Sequence, residues 1–209
     1  MEINFIYEVE TRFTFDSKEE AFEAVPFLKK SLNKEIVWKT SHYGLDLFKK
    51  DIILRLSRAE IGDKIIKSLG YKEKDIGEYL NIRKEYGEKI TDGIKDSFIM
   101  DILHGERTFT SPDEVEDELN KLGYDIFMSF EGRSIIGKYQ PLDLQLKLMY
   151  CQALKYPLLL EIEKEAHTYS EIQPMIIDIK DFIKRYNLAD RVVQKEPPTL
   201  LYEVLKKTN

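Results

Sequence analysis

The stretch Tyr7-Glu8-Val9-Glu10-Thr11-Arg12 decides how the rest of the chain is read. Side chains on a β-strand alternate between its two faces. Ile3, Phe5, Tyr7, Val9, Thr11, Phe13 and Phe15 then share a largely apolar face, while Glu8, Glu10 and Arg12, with Asn4 and Thr14, share the other. Aligning three charges in this way is costly unless water, a metal or an anionic ligand meets them. For one isolated triplet the plain alternative is a solvated strand face whose cross-strand ion pairs are each worth little. A second acidic pair, in Leu160-Glu161-Ile162-Glu163, repeats the arrangement late in the chain. Two such pairs meeting across a sheet or barrel can hold a divalent cation.

Several further segments read as strands with one apolar and one charged face: Glu35 to Lys39, Asp51 to Ser57, Glu78 to Tyr86, Phe98 to Leu103, Tyr124 to Phe130 paired with Leu142 to Tyr150, and Pro157 to Lys164. A loop is expected through Ser41-His42-Tyr43-Gly44. Ser17 and Glu20 form a capping-box pattern opening a helix with Phe22, Val25, Leu28 and Leu32 on its apolar side, bent at Pro26. Ile61, Ile65, Ile66 and Leu69 fit a short helix stopped by Gly70. Ser111-Pro112-Asp113-Glu114 starts a helix running to Leu122 and ending at Gly123. Two helices close the chain, Ser170 to Tyr186 and Thr199 to Lys206. An open sheet exposes the charged faces to solvent, whereas a closed barrel points them inward and lets helices cover the apolar outside.

At 209 residues, 43% hydrophobic and 33% charged, the composition is that of a soluble globular protein, read as one domain over 1–209. No window approaches the ~20 apolar residues of a membrane span. A strand pattern begins at once, without a basic and then apolar leader, which argues against secretion. Cys151 is alone, so no internal disulfide forms, and a reducing cytoplasm is the expected compartment. The net charge of −6 disfavours a nucleic-acid partner. One cysteine and three scattered histidines, His42, His104 and His167, make no zinc cluster and are expected in or beside loops, so any metal is oxygen-ligated and hard. Glycine-rich phosphate loops are absent, which leaves phosphate binding to side chains.

In order along the chain these segments resemble the CYTH superfamily of triphosphate tunnel enzymes. Glu8-x-Glu10-x-Arg12 is similar to its Glu-x-Glu-x-Lys signature, with Arg for Lys. Leu54-Arg55-Leu56, Leu80-Asn81-Ile82-Arg83, Leu122-Gly123-Tyr124 with Arg133, Leu160-Glu161-Ile162-Glu163 and Leu201-Tyr202-Glu203-Val204-Leu205 resemble later motifs. The resemblance implies an α+β fold: an antiparallel, tunnel-like β-barrel of about eight strands with helices packed outside. It implies hydrolysis of a triphosphate-containing small molecule (inorganic triphosphate, thiamine triphosphate or a nucleoside triphosphate). Glu8, Glu10, Glu161 and Glu163 are then the Mg²⁺ or Mn²⁺ ligands, and Arg12, Arg55, Arg83, Arg133 and Lys138 the phosphate clamps, with Glu8, Glu10 and Arg12 catalytic. A class IV-type adenylate cyclase, a non-catalytic phosphate-binding module and a homodimer stay open. The chain departs from the family pattern at Ser57, Glu131 and Lys147, where cations or an acid are usual, with Asp143 as an alternative acid.

Overall fold

Strand β1 (Phe5–Phe15) forms as its alternation demands, but both of its faces are buried: Val9 and Phe13 on one, Glu10 and Arg12 on the other. Only a strand covered on both sides gives that pattern. The computed structural model describes residues 5–154, 156 and 158–208; Ile3, Asn4 and Pro157, assigned above to strands, lie outside the described residues. The described strands are β1, β2 (Leu32–Tyr43), β3 (Ile53–Ile61), β4 (Lys64–Lys72), β5 (Asn81–Lys89), β6 (Ile126–Tyr139), β7 (Leu144–Tyr150), β8 (Leu158–Ala166) and the two-residue β9 (Val192–Val193). Their order is β5-β4-β3-β2-β6-β7-β8-β1-β9, and β5 also pairs with β1. Eight strands therefore close into an antiparallel barrel, with β9 added beside β1.

Among the described residues seven α-helices accompany the strands: α1 (Lys18–Ala24), α2 (Leu28–Ser31), α3 (Leu45–Phe48), α4 (Phe98–Ile102), α5 (Pro112–Lys121), α6 (Ile172–Arg185) and α7 (Pro197–Thr208). The α+β class follows. Contacts group the chain into two compact units, one of Met1–Ile6, Val37–Asp75 and Arg83–Glu131, the other of Tyr7–Ile36, Ile76–Ile82 and Gly132–Asn209. In the second unit the apolar faces of β1, β7 and β8 (Val9, Phe13, Leu146, Leu148, Leu160, Ile162) pack against Leu28 of α2 and Ile179 and Phe182 of α6. In the first unit Leu54, Leu69, Tyr71 and Tyr86 pack against Ile99 and Met100 of α4 and Val115 and Leu119 of α5.

The structure corrects several expectations. The isoleucine-rich segment after Ile61 is strand β4, not a helix. Gly62, at φ +57°, starts a two-residue hairpin loop of the kind that favours positive φ, and Ile61 then pairs with Lys64. Phe98 to Leu103 is helical rather than extended. Ser97 accepts from the Met100 N–H at 3.1 Å, and the Glu88 carboxylate takes the Phe98 and Ile99 N–H groups, so the helix N-terminus is satisfied. The first helix breaks rather than bends around Pro26, and Leu32 opens β2. That strand runs through Ser41–Tyr43, so His42 is a buried strand residue stacked on Phe130 at 5.5 Å instead of a loop residue. β6 pairs with β7 through Arg133–Tyr139, not through Tyr124–Phe130. Gly137 is required there, since a Cβ would lie 1.8 Å from the Ser31 carbonyl.

Two carboxylates at helix starts make the acid stability testable. Glu114 sits below its ordinary value of 4.5 because it accepts from the Thr110 hydroxyl and amide. Glu171 is lowered from the same 4.5 by the His167 and Thr168 amides. Depressed carboxylates stabilise the fold fully above 4.5 and lose that contribution as pH falls through the lowered native values. The variant carrying Glu114→Gln and Glu171→Gln is therefore expected to show a shallower fall in melting temperature below pH 4.5 than the parent, measured by scanning calorimetry across pH.

Candidate metal centre

The register of β1 on β8 builds this site. Arg12 lies opposite Glu161, Glu10 opposite Glu163, and Glu8 opposite Glu165. On the far side of β8, Lys147 lies opposite Glu161 and Gln145 opposite Glu163. Two rows therefore cross the three strands at neighbouring levels: Lys147–Glu161–Arg12 and Gln145–Glu163–Glu10. All of these residues belong to one compact unit.

In the first row charges are matched. Arg12 is 1% exposed. Its Nε donates to Glu161 Oε2 at 2.8 Å, its Nη1 donates to Asn81 Oδ1 at 2.8 Å, and its Nη2 pairs with Glu10. Lys147 Nζ donates to Glu161 Oε1 at 3.1 Å. Burial alone would lower the Arg12 pKa, but Glu10, Glu161 and Glu196 outweigh it and hold the guanidinium above its ordinary value. Glu196, itself buried, follows β9, where Val193 lies opposite Arg12.

The second row is the unusual one. Like charges directly opposite on neighbouring strands destabilise a sheet, yet Glu10 and Glu163 face each other with Glu10 1% exposed. Glu8, also buried, completes a trio whose nearest carboxylate oxygens all lie within 4.8 Å of one another. A hard divalent cation binds oxygen at roughly 2.0–2.6 Å, so ligands on its opposite sides are about 4–5 Å apart. Three glutamate oxygens at this spacing suit a hard, oxygen-ligated divalent cation. Glu161, with both oxygens on cations, is not part of that trio.

Of the remaining sequence candidates, Lys138 on β6 lies opposite Gln145 and extends the second row. Lys138 is exposed and pairs with Asp143 at 2.5 Å, and Arg133 is an exposed strand residue opposite Tyr150. Arg55 and Arg83 belong to the other compact unit. Arg55 Nη2 donates to Glu85 Oε1 at 2.7 Å, and Lys72 approaches the other Glu85 oxygen at 3.3 Å. Arg83 is 3% exposed and donates to the Asp51 carboxylate and to the Asp51 and Glu73 carbonyls at 2.7–2.8 Å. Ser57 shares a hydroxyl contact with Thr40 at 3.1 Å, and Glu131 is exposed.

No protein-family model and no curated protein matches the sequence. Solved structures do. PH1819 of Pyrococcus horikoshii OT3 aligns at TM-score 0.72 and 16% identity over 97% of this chain and 99% of its own. HpAC1 of Hippeastrum, described as a candidate adenylyl cyclase with a dominant triphosphatase activity, aligns at TM-score 0.59 and 14% identity over 95% of each chain. A candidate adenylate cyclase of Vibrio parahaemolyticus aligns at TM-score 0.64 and 12% identity over 94% of this chain and 98% of its own. The chain shares the antiparallel barrel fold of these structures, which fits the fold that the resemblance to the CYTH superfamily implied. At these identities the likeness carries the fold and no activity.

Within the barrel the acidic positions of the sequence pattern gather on the neighbouring strands β1 and β8, where Glu10 faces Glu163. Pattern matching did not reveal that Glu161 is captured by Arg12 and Lys147, because cross-strand register is invisible in a single segment. Asn81 was legible only as a polar neighbour of Arg83 on one strand face. Glu196 had no signal at all.

Proposed function

We propose that this chain hydrolyses the triphosphate group of a small molecule with the help of a divalent metal, Mg²⁺ or Mn²⁺, held by Glu8, Glu10 and Glu163. The observation that supports this best is the buried register of Glu10 against Glu163, which a cation turns from repulsive to favourable. When bound, such an ion neutralises phosphate charge and lowers the pKa of a water. A triphosphate carries about four negative charges, so its transfer chemistry depends mainly on positioning and neutralisation.

The chain's own residues supply the rest. Arg12 holds Glu10 and Glu161 in fixed orientations, acting through them as a positioning residue. Lys147, with its side chain 39% exposed, brings a cation beside Glu161 that adds positive charge for a phosphate oxygen. The glutamates themselves stay as acceptors.

The test is phosphate release from inorganic triphosphate, thiamine triphosphate and nucleoside triphosphates, each with Mg²⁺ or Mn²⁺ and again with chelator. Metal-dependent release is the expected result. Cyclic AMP and pyrophosphate from ATP would replace hydrolysis by cyclisation. Tight binding without any product would make the protein a binding module, and absence of all polyphosphate binding would overturn the reading outright.

A further inference from the structure

We propose that Lys147 is a built-in cation that limits this centre to one divalent ion by keeping Glu161 out of the metal's ligand shell. The proposal rests on the metal-dependent reading above. It comes from comparing the two rows across β7, β8 and β1. Lys147–Glu161–Arg12 carries two cations around one carboxylate. Gln145–Glu163–Glu10 carries two carboxylates and a neutral amide, and the Gln145 Nε2 donates to Glu165 at 2.8 Å rather than to Glu163. The first row sets two cations around one carboxylate, and the second sets two carboxylates face to face.

The atoms make the division sharper. Glu161 has two oxygens, and each is committed: Oε2 to Arg12 Nε at 2.8 Å, Oε1 to Lys147 Nζ at 3.1 Å. Its side chain is 6% exposed, so water competes weakly for either contact. A second divalent ion beside the first would need Glu161 Oε1 as a ligand, and it would have to approach the ammonium that already holds this oxygen. Charge repulsion and occupied lone pairs both oppose it. The Lys147 side chain, by contrast, is 39% exposed, so its head can be replaced without opening the core.

The experiment is Mn²⁺ titration of the metal-free full chain by calorimetry, with free Mn²⁺ followed by electron paramagnetic resonance. The parent is expected to bind one ion. Lys147→Met releases Glu161 Oε1 and is expected to bind two, whereas Lys147→Arg, which keeps the charge, is expected to return to one. Two ions on the parent, or a single ion on folded Lys147→Met, would overturn the role of Lys147 while leaving the metal reading in place. No ion on the parent would remove both.

Discussion

Replacing Arg12 by methionine is expected to destabilise the fold by ~3–5 kcal/mol, the cost of removing one partner from a buried ion network. The guanidinium is fully enclosed and bonds Glu161, Asn81 and Glu10 at once. Methionine matches much of its length but offers no donor, so two carboxylates lose a cation they cannot exchange for water. The loss is expected to be larger at pH 8 than at pH 5, because protonation removes the uncompensated charge. Urea unfolding at the two pH values measures both effects. A change below about 1 kcal/mol, in the range of exposed ion pairs, would show that Arg12 is solvated and that the centre is open. Lysine at this position should recover only part of the stability, since a point charge cannot direct donors at three partners as the planar fork does.

The second large effect is on activity. Glu163→Gln keeps shape and hydrogen bonding but removes one of three charges around the cation position. Metal-dependent phosphate release is expected to fall by at least about 10²-fold, the range seen when an electrostatic contact to the reacting groups is lost. The same substitution relieves the repulsion between facing glutamates. The metal-free protein should therefore become more stable while its stabilisation by Mn²⁺ shrinks. That opposition of signs separates a metal ligand from a structural residue, whose loss lowers both stabilities. Calorimetric melting with and without Mn²⁺ reads it directly.

How far the sequence led can be judged from particular residues. Glu8, Glu10 and Arg12 were legible as one strand face because alternation is local, and Glu161 with Glu163 for the same reason. Their meeting is not local. It depends on β1 and β8 pairing in one register, since a slip of one residue would turn every charge to the helix-covered side. The helix at Ser111 was readable because cap, proline and early acids all sit within one turn. β4 was misread because isoleucines spaced four and five apart also suit a helix, and the deciding signal was the glycine turn before it. The helix at Phe98 was missed because part of its cap comes from Glu88, a residue on another element. The bonds from Arg83 to the Asp51 and Glu73 carbonyls were not legible, because they join residues 32 and 10 positions apart.

The proposed activity depends on a cation between Glu8, Glu10 and Glu163. Crystals soaked in Mn²⁺ and measured for anomalous scattering test it most directly. The predicted result is a single strong peak within about 2.0–2.6 Å of carboxylate oxygens of Glu8, Glu10 and Glu163, with Glu161 still on Arg12 and Lys147. An Mn²⁺ peak elsewhere in the molecule, or none with those glutamates ordered and facing one another, would contradict it.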